Sequence, residues 1–302
     1  MTMAEPDGPG ATPVIEFKDV SMGFDEKRAL DDVSFRLDSN QMIIITGRSN
    51  SGKSVLLHLA IGLLRPTEGQ ILVEGCPVHT MSESELLQLR SADMGIAFQE
   101  DTLFTGLSVF ENTAYRLYEH DWPEPEVQSA VHEILRFVGL EADIEKLPEE
   151  LSIGMRRRLE IARALVGWPK IMLFDEPATG LDPINNKMIM DLVIRARDLH
   201  SISILMVTKE LHEIRYLSTH HAVEDEPGAV RIVEGVPTTG PRAKVMVLEE
   251  GKIVFAGALA EFESSDLPAV RVITHSDADQ PTSHTPLADP WASSNKRRQR
   301  PD

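Results

Sequence analysis

Apolar and polar positions along the chain follow two periods. Val14 to Val20 alternates, which predicts an edge strand, and Ala29 to Leu37 predicts an antiparallel partner with Val33, Phe35 and Leu37 on one face. A turn at Asp25-Glu26-Lys27 joins them. Met42 to Thr46, Ile171 to Phe174 and Ile202 to Val207 are apolar without alternation, as parallel strands buried on both faces require. Gln70 to Val73 and Met94 to Phe98 add short strands, the first after a turn at Pro66-Thr67-Glu68-Gly69. Val55 to Leu64 predicts a buried helix. Ser82 to Leu89 predicts another, with Ser82 as N-cap and Glu85 completing a capping box.

From Glu100 to about Leu165 the period changes to that of helices. Val127, Val131, Ile134, Leu135 and Val138 form one apolar stripe, preceded by a loop at Asp121 to Pro125. Met188 to His200 and Glu210 to Leu217 read as helices, and Ala243 to Leu248 with Lys252 to Ala256 as a hairpin. Residues 220–242 are broken by proline and glycine, with only Val230 to Val233 strand-like. They read as a surface excursion. The expected organisation is an α/β domain over 14–274 with an antiparallel β subdomain and an inserted helical subdomain at about 100–165. Residues 1–13 and 275–302 read as disordered ends.

Composition narrows the function classes. A net charge of −18 argues against a nucleic-acid partner, which would want a basic face. The lone Cys76 excludes an intrachain disulfide and fits a reducing compartment. The longest apolar stretch, Leu56 to Leu64, falls short of the roughly 20 residues a bilayer needs. Residues 1–13 lack the apolar core of a signal peptide. The expected place is the cytosol, free or bound to the membrane's cytosolic side. The basic end, Lys296 to Arg300, reads as a solvated tail before a headgroup contact.

The chemistry centres on Gly47-Arg48-Ser49-Asn50-Ser51-Gly52-Lys53-Ser54. This is a phosphate-binding loop lying between a strand and a helix. The two glycines let backbone N–H groups converge on one anion, and the new helix adds its positive end. Lys53 supplies a charge to the β- and γ-phosphates of ATP, and the Ser54 hydroxyl is a ligand for Mg²⁺. Asp175 and Glu176 close an apolar strand, where α/β sheets place ligands. One carboxylate can hold Mg²⁺ through water and the other can polarise the attacking water.

Further stretches follow in a telling order: Gln99, Leu151-Ser152-Ile153-Gly154-Met155, Ile171 to Pro177, and Thr179-Gly180-Leu181-Asp182. With the phosphate loop they resemble the nucleotide-binding ATPase subunit of an ABC transporter, over roughly Val14 to Thr274. The resemblance implies a P-loop NTPase core of the ABC type and a head-to-tail dimer, most simply a homodimer, holding two ATP. It implies that Ser152 and Gly154 reach the γ-phosphate across that dimer and that Asp182 lies in a loop reaching the opposite site. It implies that Gln99 senses Mg²⁺ and passes the change to the helical subdomain, and that Phe24 stacks on adenine, a place in the core being its other reading. Arg156-Arg157-Arg158 reads as a solvated or inter-subunit face.

Thr102 to His120, with Met155 and the arginine-rich helix start, is similar to the Mla-type ATPases. Those work with a membrane permease and a lipid-binding partner in phospholipid transport. Two positions depart from the family. Ile153 replaces its first signature glycine, and Lys209 stands where it has a switch histidine. Both imply slow hydrolysis, with a regulatory or scaffold subunit as the alternative.

Overall fold

Uninterrupted apolar runs and alternating runs end in different sheets. The computed structural model describes residues 13–25, 27–99, 102–226, 229–235 and 243–276. In chain order the elements are β1 (Pro13–Phe24), β2 (Lys27–Asp38), β3 (Met42–Thr46), α1 (Lys53–Ala60), β4 (Glu68–Val73), β5 (Cys76–Pro77), α2 (Glu83–Asp93) and β6 (Met94–Ala97). Then come α3 (Val109–Tyr118), α4 (Glu124–Val138), α5 (Ile153–Leu165), β7 (Ile171–Asp175), α6 (Pro183–His200), β8 (Ser203–Val207) and α7 (Leu211–Thr219). The last are β9 (His220–Glu226), β10 (Ala229–Glu234), β11 (Ala243–Glu249), β12 (Lys252–Gly257), α8 (Leu259–Glu263) and α9 (Pro268–Ser276).

Strands β12-β11-β3-β8-β7-β6 form one sheet, parallel from β11 to β6. Strand β3 is apolar at nearly every position because both faces are covered. Ile43 and Ile45 join a core with β1, β2 and α1, while Met42 and Ile44 face the helices that follow β6. Between β6 and β7 the chain makes α3, α4 and α5, which bury Val127, Val131, Ile134, Leu135 and Val138, the stripe read from the sequence. The fold is thus the expected mixed α/β type, with an antiparallel sheet and a helical insertion.

The second sheet corrects one expectation. Its order is β2-β1-β4-β5, so β1 is a central strand and not an edge. Strand β1 bulges at Asp19, and Gly69 of β4 fits there because a Cβ would lie 2.2 Å from the Asp19 carbonyl oxygen. Phe17 stacks on Phe35 of β2 at 4.6 Å between ring centroids.

Helix boundaries moved where capping outweighed periodicity. Helix α6 starts at Pro183 rather than Met188, because Asp182 accepts from the N–H of Ile184 and Asn185 and Pro183 needs no donor partner. Helix α1 stops at Ala60, short of Leu64, as the chain turns through Gly62 at φ 68°. Helix α4 absorbs Glu124 and Pro125 from the expected loop. The capping box on α2 forms as read, with Ser82 N–H donating to Glu85 at 2.7 Å, but α2 runs on to Asp93.

The stretch 220–242 contains more order than its sequence suggests. Strands β9 and β10 pair antiparallel, and Ala222 N–H donates to Asp198 of α6 at 2.8 Å. The strand signal of β9 is hidden because His, Glu and Asp fill its alternating positions. Residues 236–242, the N-terminal 1–12 and the tail from 277 lie outside the described residues.

Candidate functional site

Strands β3, β8 and β7 are neighbours, and their carboxyl ends deliver Gly47, Lys209 and Asp175-Glu176 to one place. Gly47 has φ 147°, and a Cβ there would lie 2.1 Å from the Leu248 carbonyl oxygen. Gly52 has φ 105° and is as tightly held against the Ala29 carbonyl oxygen. Both glycines therefore answer to backbone packing as well as to an anion. Arg48, Ser49 and Asn50 are exposed, while Ser51 is buried. Helix α1 opens at Lys53 with no acidic residue in its first turn, so its positive end is uncompensated within the helix.

Lys53 folds back over the loop. Its Nζ donates to the carbonyl oxygens of Gly47 at 2.9 Å and Arg48 at 2.8 Å. Burial lowers its pKa, with Lys209 adding to that effect, while Glu176 and Asp175 pull it up. Asp175 is 6% exposed and its Oδ1 has no partner. Burial raises its pKa. The Ser54 hydroxyl bonded to it lowers it, the charge of Glu176 raises it, and His58 and Lys53 lower it. Thr46 Oγ1 and Ser51 Oγ are also buried without partners beside the loop. Such a set of unmet polar atoms is costly unless a ligand meets it.

Glu176 sits at φ 44°, held by its N–H donating to the Val207 carbonyl at 3.0 Å. Its carboxylate accepts from Thr179 Oγ1 at 2.9 Å and pairs with Lys209 Nζ at 3.3 Å. Lys209 is thus held at Glu176, close enough to Lys53 for its charge to act on that residue. Ser54, Asp175 and the amide of Gln99 are hard oxygen donors of the kind Mg²⁺ takes. The orphaned Asp175 Oδ1 and the Ser54 hydroxyl fit that ion. They would hold it against phosphate oxygens, where it would neutralise charge on the β- and γ-groups.

Ser152, Gly154 and Asp182 lie on a second surface. Ser152 is exposed and caps α5, accepting from Met155 N–H at 3.3 Å. Ile153 is 56% exposed. Gly154 is buried, and a Cβ would lie 2.1 Å from Asn185 Oδ1. Asn185 in turn donates to Asp182 at 2.6 Å, so the two stretches adjoin. Phe24 is 45% exposed, which sets aside its reading as core. Gln99 is exposed at the end of β6.

The arginine run is not a solvated face. Arg156 donates to Leu151, Arg158 to Val138 and Gly139, and Arg157 to Phe98 and Gln99, all at carbonyl oxygens. Sequence reading also missed a buried network behind Lys209. Glu213 is 2% exposed and accepts from Thr208 Oγ1 at 2.6 Å and Asn186 Nδ2 at 2.7 Å. Its signal was a carboxylate beside the apolar positions Leu211, Ile214 and Leu217 of α7.

A family profile described as "ABC transporter" matches residues 30–179. The lipoprotein-releasing system ATP-binding protein LolD of Buchnera aphidicola is 39% identical over 193 residues, which cover 64% of this chain and 83% of LolD. The chain belongs to the ATP-binding subunits of ABC transporters. The probable ribonucleotide transport ATP-binding protein mkl of Mycobacterium leprae is 38% identical over 217 residues, 70% of this chain, and the match spans 62% of mkl's length. The structure of cbiO1 from Clostridium perfringens, part of the ABC transporter complex cbiONQ, superposes with a TM-score of 0.69 at 25% identity, covering 89% of this chain and 96% of that one.

Proposed function

We propose that the chain binds Mg-ATP and hydrolyses it as the motor of a transporter, working as a head-to-tail homodimer docked on a membrane permease. The observation that carries this reading is the meeting of Lys53, Asp175, Glu176 and Lys209 at the ends of three adjacent strands. Lys53 and the amides of the phosphate loop hold the phosphates, Ser54, Asp175 and Gln99 hold Mg²⁺, and Glu176 takes the proton of the attacking water. Phe24 stacks on the adenine. Ser152 and Gly154 of one copy close over the ATP of the other, with Asp182 beside them. No helix among the described residues is long and apolar enough to cross a membrane, so a permease partner supplies the passage.

The cargo we favour is phospholipid, with a lipid-binding partner, as in the Mla type that 102–120 resembles. LolD, named for lipoprotein release, supports a lipid-bearing cargo at the level of the relatives. The permease face we favour is the apolar stretch after Gln99. Phe104 and Tyr115 are each 41% exposed and their rings meet at a tilt, 4.6 Å between centroids. Asn112 fixes their spacing by bonding Phe104, Leu107 and Ser108. Nearby, a cleft of about 390 Å³ is lined by Arg116, Leu117, His120 and Trp122. Phe104→Glu and Leu107→Glu should release the subunit from membranes of its source cell while ATP binding persists. Retention on those membranes would move the docking face elsewhere.

The alternative of a weakly hydrolysing regulatory subunit has one observation in its favour. The Lys209 ammonium neutralises Glu176, the residue that must accept a proton. Turnover of the purified chain, set beside its ATP affinity, separates the two readings.

A further inference from the structure

Arg157, Glu160 and Arg163 stand at successive turns on one stripe of α5. Together they grip both ends of the segment leaving β6. Arg157 Nη1 and Nη2 donate to the carbonyl oxygens of Phe98 and Gln99, each at 2.8 Å. Arg157 is oriented by Glu160, whose Oε2 accepts from Nη1 at 2.6 Å. The other oxygen of Glu160 accepts from Thr102 N–H at 3.2 Å, and Arg163 donates to the Thr102 carbonyl at 2.7 Å. The side chains of Arg157 and Glu160 are 12% and 4% exposed. Such a largely buried, multiply bonded pair is geometrically more exacting than an exposed one.

The placement of this clasp gives it a consequence. One end rests on the backbone of Gln99 itself. The other lies a single turn from Gly154 on the same helix, whose N-cap is Ser152. A shift of the Phe98-Gln99 backbone strains two charge-assisted bonds to α5 unless the helix follows.

We propose that Arg157, held by Glu160, is a positioning residue that transmits the state of Gln99 to the N-terminal end of α5. Filling of the phosphate site in one copy thereby sets where that copy presents Ser152 and Gly154 to its partner. The inference rests on the ATP-binding reading above and adds the part that links its two surfaces.

The test is amide hydrogen exchange on the full chain with and without Mg-ATP, at a dilution where size exclusion shows a monomer. The variants are Arg157→Met, Arg157→Lys and Glu160→Gln. In the wild type ATP should slow exchange at 47–54 and alter it at 152–156. Arg157→Met should keep the response at 47–54, with ATP affinity within about threefold of wild type, and lose the response at 152–156. Arg157→Lys, with a point charge that cannot span two carbonyls, should restore little of it. Glu160→Gln, which keeps the shape of the clasp without its charge, should give an intermediate response. A full response at 152–156 in Arg157→Met overturns the proposal. So does raised exchange along all of α5 in that variant without nucleotide, which would mark a merely structural tie. A wild type that fails to respond at 47–54 sinks the ATP reading itself and the link with it.

Discussion

The carboxyl ends of β3, β7 and β8 and the N-terminal end of α5 carry the same kind of chemistry in opposite states. At the first, the chain meets its own needs: Lys53 and Asp175 are buried, and loop carbonyls, Ser54 and Lys209 surround the charges. What is left over points inward as unpartnered oxygens of Thr46, Ser51 and Asp175. At the second, Ser152 and Ile153 face outward with a helix N-terminus behind them, while Gly154 and Asn185 fix their base. In the proposed reading one surface is a nearly finished phosphate site, and the other is half of a site that a second copy's phosphate loop completes. The difference supports the head-to-tail dimer, because each surface offers what the other lacks.

The comparison breaks first at Lys53. Lys53→Ala removes the phosphate charge and also the two bonds that shape the loop. ATP affinity measured by calorimetry should fall about 100-fold or more, and unchanged affinity would remove the finished site from the argument. Glu176→Gln comes next. It should cut phosphate release by about 10²- to 10⁴-fold while leaving ATP binding intact and trapping an ATP-dependent dimer on size exclusion. Loss of binding in this variant would mean that Glu176 shapes the pocket and is not its base.

Ser152→Glu sharpens the contrast from the other side. A carboxylate can still cap α5 but would repel a phosphate offered by a second copy. ATP-dependent dimerisation should weaken about tenfold or more, and ATP binding to the monomer should not change. A dimer as tight as wild type would detach Ser152 from the interface. The smallest effect is at Lys209. Replacing it with the family's histidine removes the cation from Glu176 and supplies a stiffer donor. Lys209→His should raise turnover about tenfold. A wild type that is already brisk and slows on substitution would show that the lysine is a working replacement.

Much of this contrast was legible from residue types. Glycine spacing, Lys53, Ser54 and the pair Asp175-Glu176 could be read because each chemical job admits few side chains. The caps at Ser82 and the stripe of α4 were legible because they are local, set by neighbours three or four residues away. The edge position expected for β1 failed for the opposite reason. Alternation states that one face is buried and is silent on how many strands pair with it, and β4 arrives from beyond α1. The solvated half of the reading of the arginine run failed likewise. Three successive charges read as solvent-facing until the carbonyls of Leu151, Val138, Gly139, Phe98 and Gln99 are brought within reach.

The sequence by itself determined the phosphate-loop spacing, the α/β alternation and the helical insertion. Only the tertiary structure decided that Lys209 rests on Glu176, that Gly154 is wedged against Asn185, that Phe24 is exposed, and that Arg157 holds Gln99. Local chemistry is written in spacing, because dihedral preference and hydrogen-bond reach act over a few residues. Contacts between distant segments depend on which strands become neighbours, and that is settled by the packing of the whole sheet.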